Sequence, residues 1–294
     1  MAIFSFLSPV FIAVICLLIV IILQNKRDNE KEKKQKEKSK AEPRPWVDED
    51  LQDGTELPAE EDGKDECQDI DEEDVSHVHF SPLNYDEQDM VKRSKQFYEM
   101  LNQRRSVRLI SNEPVPREVI DNIIRAAGTS PSGAHTEPWT FVLVQDPEVK
   151  HKIREIIEEE EEINYRKRMG DKWVHDLKRL RAKNWIKEYL DTAPYLILIF
   201  KQIYGILSGD RKKTHYYNEI SVSIACGILL AAIQNAGLVT VTTTPLNCGP
   251  RLRVLLERPI NEKLLMLLPV GYPSKGATVP DLKRKPLEDI MVVF

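Results

Sequence analysis

Cysteine is scarce in this chain, and its positions form no regular framework. Four cysteines occur in 294 residues, at positions 16, 67, 226 and 248, with no CxxC pair among them. Small secreted domains held by disulfides need a denser and more regular set, whereas scattered thiols are typical of a reducing compartment. We therefore expect unpaired thiols and assign none of them to catalysis.

The general motifs of catalytic sites are missing as well. The sequence contains no GxGxxG, GxxxxGK[ST], HExxH or GxSxG, and its six histidines show no metal-ligand spacing. The sequence therefore predicts no metal site, and the function must be sought in less general clusters.

Charge of one sign is not in large excess overall, but it is unevenly distributed. The net charge is +4 over residues 1–40, −14 over 41–76 and, since the whole chain carries −5, +5 over 77–294. A mildly basic folded part suits a small anionic ligand, and it is far too weakly charged to indicate nucleic-acid binding.

An apolar run opens the chain. Residues 2–23 are apolar apart from Ser5, Ser8 and Pro9, and about 20 such residues span a bilayer core as a helix. No Lys or Arg precedes the run and a basic cluster follows it, which favours an uncleaved membrane anchor at 1–24 over a cleaved signal peptide. The same cluster predicts a single-pass protein with its C-terminal bulk on the cytoplasmic side.

Residues 25–76 have almost no large apolar side chains. Such a segment cannot bury enough surface to offset the entropy that it would lose on ordering. We expect a disordered tether here, and the alternative is an acidic interaction motif.

Residues 77–294 predict one α+β domain with a core large enough to fold independently. Four helices are expected from a 3.6-residue apolar periodicity or from a charged helical pattern. The first covers 86–103, the second is opened by Pro116, the third covers 149–189, and the fourth covers 215–236 and ends at Gly237. The expected strands are short apolar runs at 139–144, 195–200, 238–243 and 264–270.

Three polar clusters in this domain could bind a ligand. RRSVR at 104–108 offers guanidiniums to a phosphate, SPSGAH at 130–135 forms a tight loop, and TTTPLN at 242–247 ends a strand with hydroxyls. Each cluster has a structural alternative: a solvated helix end, an ordinary helix-to-strand turn, or a polar strand end. None is specific by itself.

Together the clusters resemble a known framework. With the runs EEEEEINY, WIKEYLDTAP and PVGYPSK, and with the long apolar helix ending in NAG, they resemble the FMN-binding framework of the nitroreductase superfamily and, more finely, its iodotyrosine deiodinase family. The similarity covers essentially the whole chain and is strongest over 87–286. It implies a nitroreductase-like fold, with a mixed central sheet flanked by helices, in a homodimer of the domain-swapped type.

By this resemblance the cofactor is FMN, bound at the dimer interface. Ser132 would come from the partner subunit, and the Thr244 hydroxyl would lie near flavin N5. The implied cofactor-binding residues are Arg104, Arg105, Ser106, Val107, Arg108, Ser132, Thr242, Thr243, Thr244 and Arg284.

The resemblance also implies a site for a zwitterionic amino acid. Glu161 would bind the ammonium, Lys187 the carboxylate, and Tyr165 either group. The Ala134 backbone N–H would receive the phenolate oxygen, so that Ala134 and Thr244 are the implied catalytic positions.

Two alternatives concern the segment that carries these residues. Lys183 could replace Lys187, which is preferred because it lies in the matching WIKEY run. On the residues alone, the acidic run at 158–162 is a solvated helix face, whereas the resemblance implies that about 155–190 form a lid over the substrate.

The implied reaction is reductive removal of iodide from mono- and diiodotyrosine, which would salvage iodide for thyroid hormone synthesis. NADPH would be the ultimate reductant, through a separate reductase, at the plasma membrane or a vesicle membrane. A general nitro or quinone reductase of the same fold is the alternative enzyme, but flat neutral substrates need no charged pair. A membrane-tethered scaffold with an inactive domain is disfavoured by the intact basic cluster and the TTTP run.

Overall fold

The computed structural model describes residues 76–294 apart from 171, 173, 174, 177–184 and 208–211. The predicted anchor at 1–24, all but Ser76 of the predicted tether, and the alternative substrate residue Lys183 therefore lie outside the described residues.

Four of the six described α-helices begin at a side-chain cap or a proline, and the sequence predicts one of these starts, at Pro116. Asp86 accepts from the N–H of Asp89, and Asp146 accepts from the N–H of Val149, so that each caps a helix N-terminus. In chain order the α-helices are α1 (Glu87–Asn102), α2 (Arg117–Gly128), α3 (Pro147–Ile163), α4 (Tyr189–Thr192), α5 (Asn218–Asn235) and α6 (Gly249–Leu255). A π-helical turn, Asn164–Arg168, continues α3.

The main sheet has four strands in the order β1-β2-β6-β5, and all its strand pairs are antiparallel. A separate hairpin, β3-β4, was not predicted. The strands are β1 (Trp139–Val144), β2 (Tyr195–Gln202), β3 (Tyr204–Ile206), β4 (Lys212–Thr214), β5 (Val239–Thr240) and β6 (Glu262–Gly271).

The prediction of a mixed sheet needs correction. Among the described residues, the one parallel pairing is the isolated bridge between Ser106 and Thr240, and the named strands form an antiparallel sheet. The strand predicted at 238–243 is also shorter, because only Val239–Thr240 forms β5 before the chain leaves the ladder and pairs once more at Thr243 with Leu267.

Strand β2 lies at the centre of the core, with apolar side chains buried on both faces of the sheet. Ile197 and Ile199 pack in one cluster with residues of α2 and α5. Leu196 and Leu198 pack in a second cluster with residues of α3 and α6. This alternation follows from the two-residue period of a strand, and it places helices on both sides.

Helix α5 is apolar because it packs in this core. Val222, Ala225 and Leu229 are fully buried there. Among the described residues α5 is also the one helix long and apolar enough to cross a membrane by length and composition. Cys226 of α5 and Cys248 are free and buried, in agreement with the expectation of unpaired thiols at these two positions. Burial raises the pKa of the Cys226 thiol to about 11.

Candidate functional site

The basic run at 104–108 lies beside the short strand β5. The Val107 N–H donates to the Thr240 carbonyl at 3.0 Å, next to the Ser106–Thr240 bridge. The Val107 side chain is buried in the protein, so that Val107 lines neither of the two cavities described below, although it was predicted to bind the cofactor. Strand β5 leads directly into 242–244, so this pairing brings two of the predicted clusters together.

An arginine pocket forms around this basic run. The Arg284 guanidinium donates to the Arg104 carbonyl at 2.9 Å, and the Arg105 guanidinium donates to the Pro280 carbonyl. Burial, followed by the neighbouring charges of Arg284 and Arg105, lowers the pKa of Arg104. The lining residues include no carboxylate: Arg104, Arg105, Ser106, Arg108, Val279, Pro280, Leu282 and Arg284.

Four guanidiniums around one cavity repel one another unless an anion lies between them. Arginine also presents its donors in a planar fork that matches a phosphate. The arginine pocket therefore fits the phosphate of a nucleotide-like cofactor, and the solvated-helix-end alternative for 104–108 does not account for it.

A second cavity, the cleft, lies beside the arginine pocket, and Arg108 lines both. One wall comes from 241–246 and the other from α3, its π-helical turn and the 187–190 segment. Its lining residues are Arg108, Ile157, Glu161, Tyr165, Met169, Lys187, Tyr189, Leu190, Val241, Thr242, Thr243, Thr244, Pro245 and Leu246.

The three consecutive threonines are not equivalent. The Thr243 hydroxyl donates to the Leu267 carbonyl at 2.8 Å, and the backbones of these two residues also pair. Thr242 and Thr244 are exposed and line the cleft. Thr243 is therefore tied to β6 by its side chain, whereas Thr242 and Thr244 are the candidates for binding a ligand.

Three of the predicted substrate residues meet in the cleft. Glu161 Oε2 lies 3.5 Å from Lys187 Nζ, and both side chains are only 14 % exposed. Lys187 Nζ also lies 5.7 Å from the centroid of the Tyr165 ring. The cleft thus contains a buried pair of opposite charges beside a phenol.

The environment of the cleft raises the pKa values of Glu161 and Tyr165. Burial raises the pKa of Glu161, and Lys187 opposes that rise. Burial and, to a lesser extent, the Glu161 charge raise the pKa of Tyr165 to about 12, with Arg108 opposing. Tyr165 therefore keeps its hydroxyl proton at neutral pH and can donate a hydrogen bond.

Ser132 and Ala134 do not join the other predicted site residues within one chain. They lie in or beside a single 3-10 turn, Gly133–His135, and line neither the cleft nor the arginine pocket. The Ser132 hydroxyl accepts from the Glu137 N–H at 3.0 Å. A Cβ on Gly133 would lie 2.7 Å from the Tyr216 carbonyl oxygen, so a glycine is required there.

The backbone of this turn is strained. Ala134, His135 and Glu137 have φ of 48°, 51° and 46°, in the left-handed region that residues other than glycine seldom occupy. Such strain persists only where surrounding contacts determine the conformation, and it often accompanies a ligand-binding role. The alternative interpretation, an ordinary helix-to-strand turn, does not explain three left-handed residues.

Sequence reasoning missed several residues that line the cleft. Ile157 precedes Glu161 by one helical turn on α3, and this spacing could have found it. Tyr189, whose pKa burial raises, follows Lys187 by two residues and carries no pattern of its own. Met169, Leu190, Pro245 and Leu246 are apolar and indistinguishable by sequence from core residues.

Several known proteins are similar to this chain in sequence and in fold. The nitroreductase family model matches residues 101–272. Iodotyrosine deiodinase 1 of Homo sapiens is 70% identical over 287 residues, which cover 98% of this chain and 99% of the relative. Iodotyrosine deiodinase of Danio rerio is 67% identical over 296 residues, 100% of each chain.

A solved structure agrees with these relatives. The crystal structure of oxidised iodotyrosine deiodinase bound to FMN and 3-iodo-L-tyrosine is 31% identical, with a TM-score of 0.57, and the match covers 67% of this chain and 98% of that one. The chain therefore belongs to the nitroreductase family and, within it, to the iodotyrosine deiodinases.

Proposed function

We propose that this protein is an FMN-dependent oxidoreductase that removes iodide reductively from mono- and diiodotyrosine. The observation that carries the proposal is the Glu161–Lys187 pair, 3.5 Å apart and largely buried in the cleft. An amino-acid head group carries the complementary pair of charges. The relatives' names and the FMN and 3-iodo-L-tyrosine bound in the related crystal structure support the same assignment.

The residues present fit FMN. The arginine pocket would hold its phosphate, and Thr242 and Thr244 would line its ring system, with Arg108 between them because it lines both cavities. When bound and reduced, FMN would supply the two electrons that, together with one proton, replace a carbon–iodine bond by a carbon–hydrogen bond and release iodide.

The chain's own residues would bind and orient the substrate. Glu161 would accept from the ammonium, Lys187 would donate to the carboxylate, and the protonated Tyr165 hydroxyl would donate a further hydrogen bond. Ortho iodine lowers the pKa of a phenol below the ~10 of tyrosine, so the substrate can bind as a phenolate. The Ala134 N–H would then stabilise the phenolate oxygen.

A lid over this site would exclude water. The residues of the proposed lid, about 155–190, contribute Ile157, Tyr165, Met169 and Tyr189 to the cleft wall, and these are mostly apolar or aromatic. Water excluded by such a wall no longer screens the charges of Glu161 and Lys187, so their interaction with a zwitterion strengthens.

A homodimer would complete the site. Ser132 and Ala134 lie outside both cavities of their own chain, so we propose that each subunit presents this turn to its partner. Exposed apolar surface supports the interface. It includes Met90, Phe97 and Tyr98 of α1, Ile220 of α5, and Val292, Val293 and Phe294 at the C-terminus.

The proposed membrane attachment rests on the sequence, and the proposed electron supply rests on the family resemblance. The apolar run at 2–23 and the basic residues after it support a single membrane anchor, with the catalytic domain on the cytoplasmic side of the plasma membrane or of a vesicle. NADPH would be the ultimate reductant, acting through a separate reductase.

Iodide release tests the proposed function. Purified protein reduced with dithionite should release iodide from 3-iodo-L-tyrosine and convert it to tyrosine. An iodophenol without the amino-acid head should react much more slowly, because it gains nothing from Glu161 or Lys187. Rapid turnover of nitroarenes or quinones without iodide release from iodotyrosine would assign the protein to the general reductases of this fold instead.

A further inference from the structure

Helix α3 holds the backbone of the substrate lysine from outside the cleft. The Lys187 N–H donates to Glu158 Oε1 at 2.6 Å. The same carboxylate oxygen accepts from Arg154 Nε at 2.6 Å, and a second Arg154 nitrogen donates to Asp191 Oδ2 at 2.8 Å. Neither Glu158 nor Arg154 lines the cleft.

The far end of the lysine segment is tied to the same helix. Lys150 is buried, and its Nζ donates to the carbonyls of Asp191 at 3.0 Å and Ala193 at 2.7 Å. Lys150, Arg154 and Glu158 are spaced by four residues, so they lie on one face of α3. The segment 187–193 is therefore fastened at both ends to this face.

This arrangement sets the geometry of the Glu161–Lys187 pair. Glu161 follows Glu158 by three residues on the same helix, so one rigid element carries the carboxylate of the pair and also holds the backbone of the lysine. A displacement of that backbone by about 1 Å is enough to weaken a charge-assisted hydrogen bond to a ligand.

We infer that Glu158 is a positioning residue, which sets the place of the Lys187 ammonium in the cleft by accepting its backbone N–H. The consequence for the substrate rests on the proposed function, whereas the contact with Lys187 does not. Glu158 would bind no ligand itself. It would determine how well the cleft distinguishes an amino-acid head group from an uncharged one.

Glu158 differs from its acidic neighbours in this respect. Its side chain is 18% exposed and bonded to a backbone N–H, whereas Glu159 is 62% exposed and pairs with Arg251. Glu159 is thus a matched control on the same helix. The interpretation of 158–162 as a solvated face holds for Glu159, but it does not hold for Glu158.

Hydrogen exchange in the full-length protein tests the contact directly. Amides in 185–193 should exchange faster in Glu158→Ala than in wild type, while Glu159→Ala should match wild type. Glu158→Gln keeps an oxygen acceptor and should restore most of the protection. Unchanged exchange in Glu158→Ala would overturn the inference, and so would equal exchange in the Ala and Gln variants.

A double-mutant cycle tests the role toward substrate. Glu158→Ala should raise the dissociation constant of 3-iodo-L-tyrosine about tenfold, the usual effect of losing one charge-assisted contact. In a Lys187→Met background the same change should have little further effect, because its effect passes through Lys187. An equal rise in both backgrounds would overturn the positioning role. If wild type does not bind iodotyrosine, the proposed function fails, while the exchange experiment still decides whether Glu158 holds the segment.

Discussion

Glu161 Oε2 lies 3.5 Å from Lys187 Nζ, and the two oppositely charged side chains are each only 14 % exposed. A zwitterion can replace both partners at once, since its ammonium meets Glu161 and its carboxylate meets Lys187. A ligand with one charge or none cannot supply both new partners. If it separates the pair, it leaves at least one buried charge unpaired, which is costly. Under the proposed function, the pair would select amino acids independently of any contact with the substrate ring.

Glu161→Gln should lower kcat/KM for iodotyrosine about thirtyfold, because losing the partner of a buried ammonium costs about 2 kcal/mol or more. An iodophenol without the head group is the control and should react equally poorly with both proteins. If Glu161→Gln handles iodotyrosine as well as wild type, Glu161 does not bind the substrate ammonium.

Iodotyrosine binding should weaken on acidification, and it should do so at a higher pH than if Glu161 had the pKa of an ordinary glutamate. Burial raises the pKa of Glu161, so the carboxylate becomes protonated, and loses its attraction for the ammonium, as the pH falls through that raised value. The dissociation constant measured against pH should show this acid limb in wild type. Titration of the ligand's phenol and carboxyl should affect both proteins alike, so only the additional acid limb of wild type should be missing from Glu161→Gln.

Arg104→Ala and Arg108→Ala should each weaken FMN binding by about 1.5–3 kcal/mol, or some ten- to hundredfold in dissociation constant. Both residues line the arginine pocket, where each would contribute a charge-assisted contact to the phosphate. Flavin titration of the apoprotein measures the change. Arg251→Ala is the control, since Arg251 pairs with Glu159 on the surface. Unchanged flavin affinity in both pocket variants would leave 104–108 as a solvated helix end.

Substitutions at Thr243 and Thr244 should have different effects, on protein stability in the first case and on the flavin in the second. Thr243→Ala removes the hydroxyl that donates to the Leu267 carbonyl and should lower the free energy of unfolding by about 1 kcal/mol. Thr244→Ala should leave stability nearly unchanged, but it should shift the flavin reduction potential and slow iodide release. A potential shift found only in Thr243→Ala would mean that a different hydroxyl faces the flavin.

A chain beginning at His77 should be soluble, dimeric and yellow, because the proposed anchor and tether lie outside the described α+β core. Sedimentation gives its mass, and the visible spectrum gives its flavin content. A well-folded, colourless monomer would contradict both the proposed interface and the proposed cofactor.

The buried elements of the fold were predictable because they depend on simple periodicities. Strand β2 is a continuous apolar run, and it is confirmed with only two added residues at its end. Helix α5 begins at Asn218 rather than His215, because Tyr217 has φ of 52° and His215 Nδ1 lies 3.2 Å from the Gln202 carbonyl oxygen. Tertiary contacts of this kind leave no periodic pattern in a sequence.

The site was predictable where side chains act through their own chemistry. The guanidiniums of 104–108 suit an anion by residue type, and the family resemblance singles out Glu161 and Lys187, whose charges suit a zwitterion. Glu158 looked like one more acid in a solvated run, because its partner is a backbone N–H 29 residues further along the chain. No residue-type rule marks such a partner.

Arg108 lines both the arginine pocket and the cleft, and this shared position has a thermodynamic consequence. A ligand in the cleft that interacts with the Arg108 guanidinium changes the affinity of the arginine pocket for its anion by some factor. The bound anion must then change the affinity of the cleft for that ligand by the same factor. Cofactor loading and substrate affinity are then two measurements of one coupling energy. Titrating flavin with and without iodotyrosine therefore yields a quantity that no substitution at Arg108 alone can isolate.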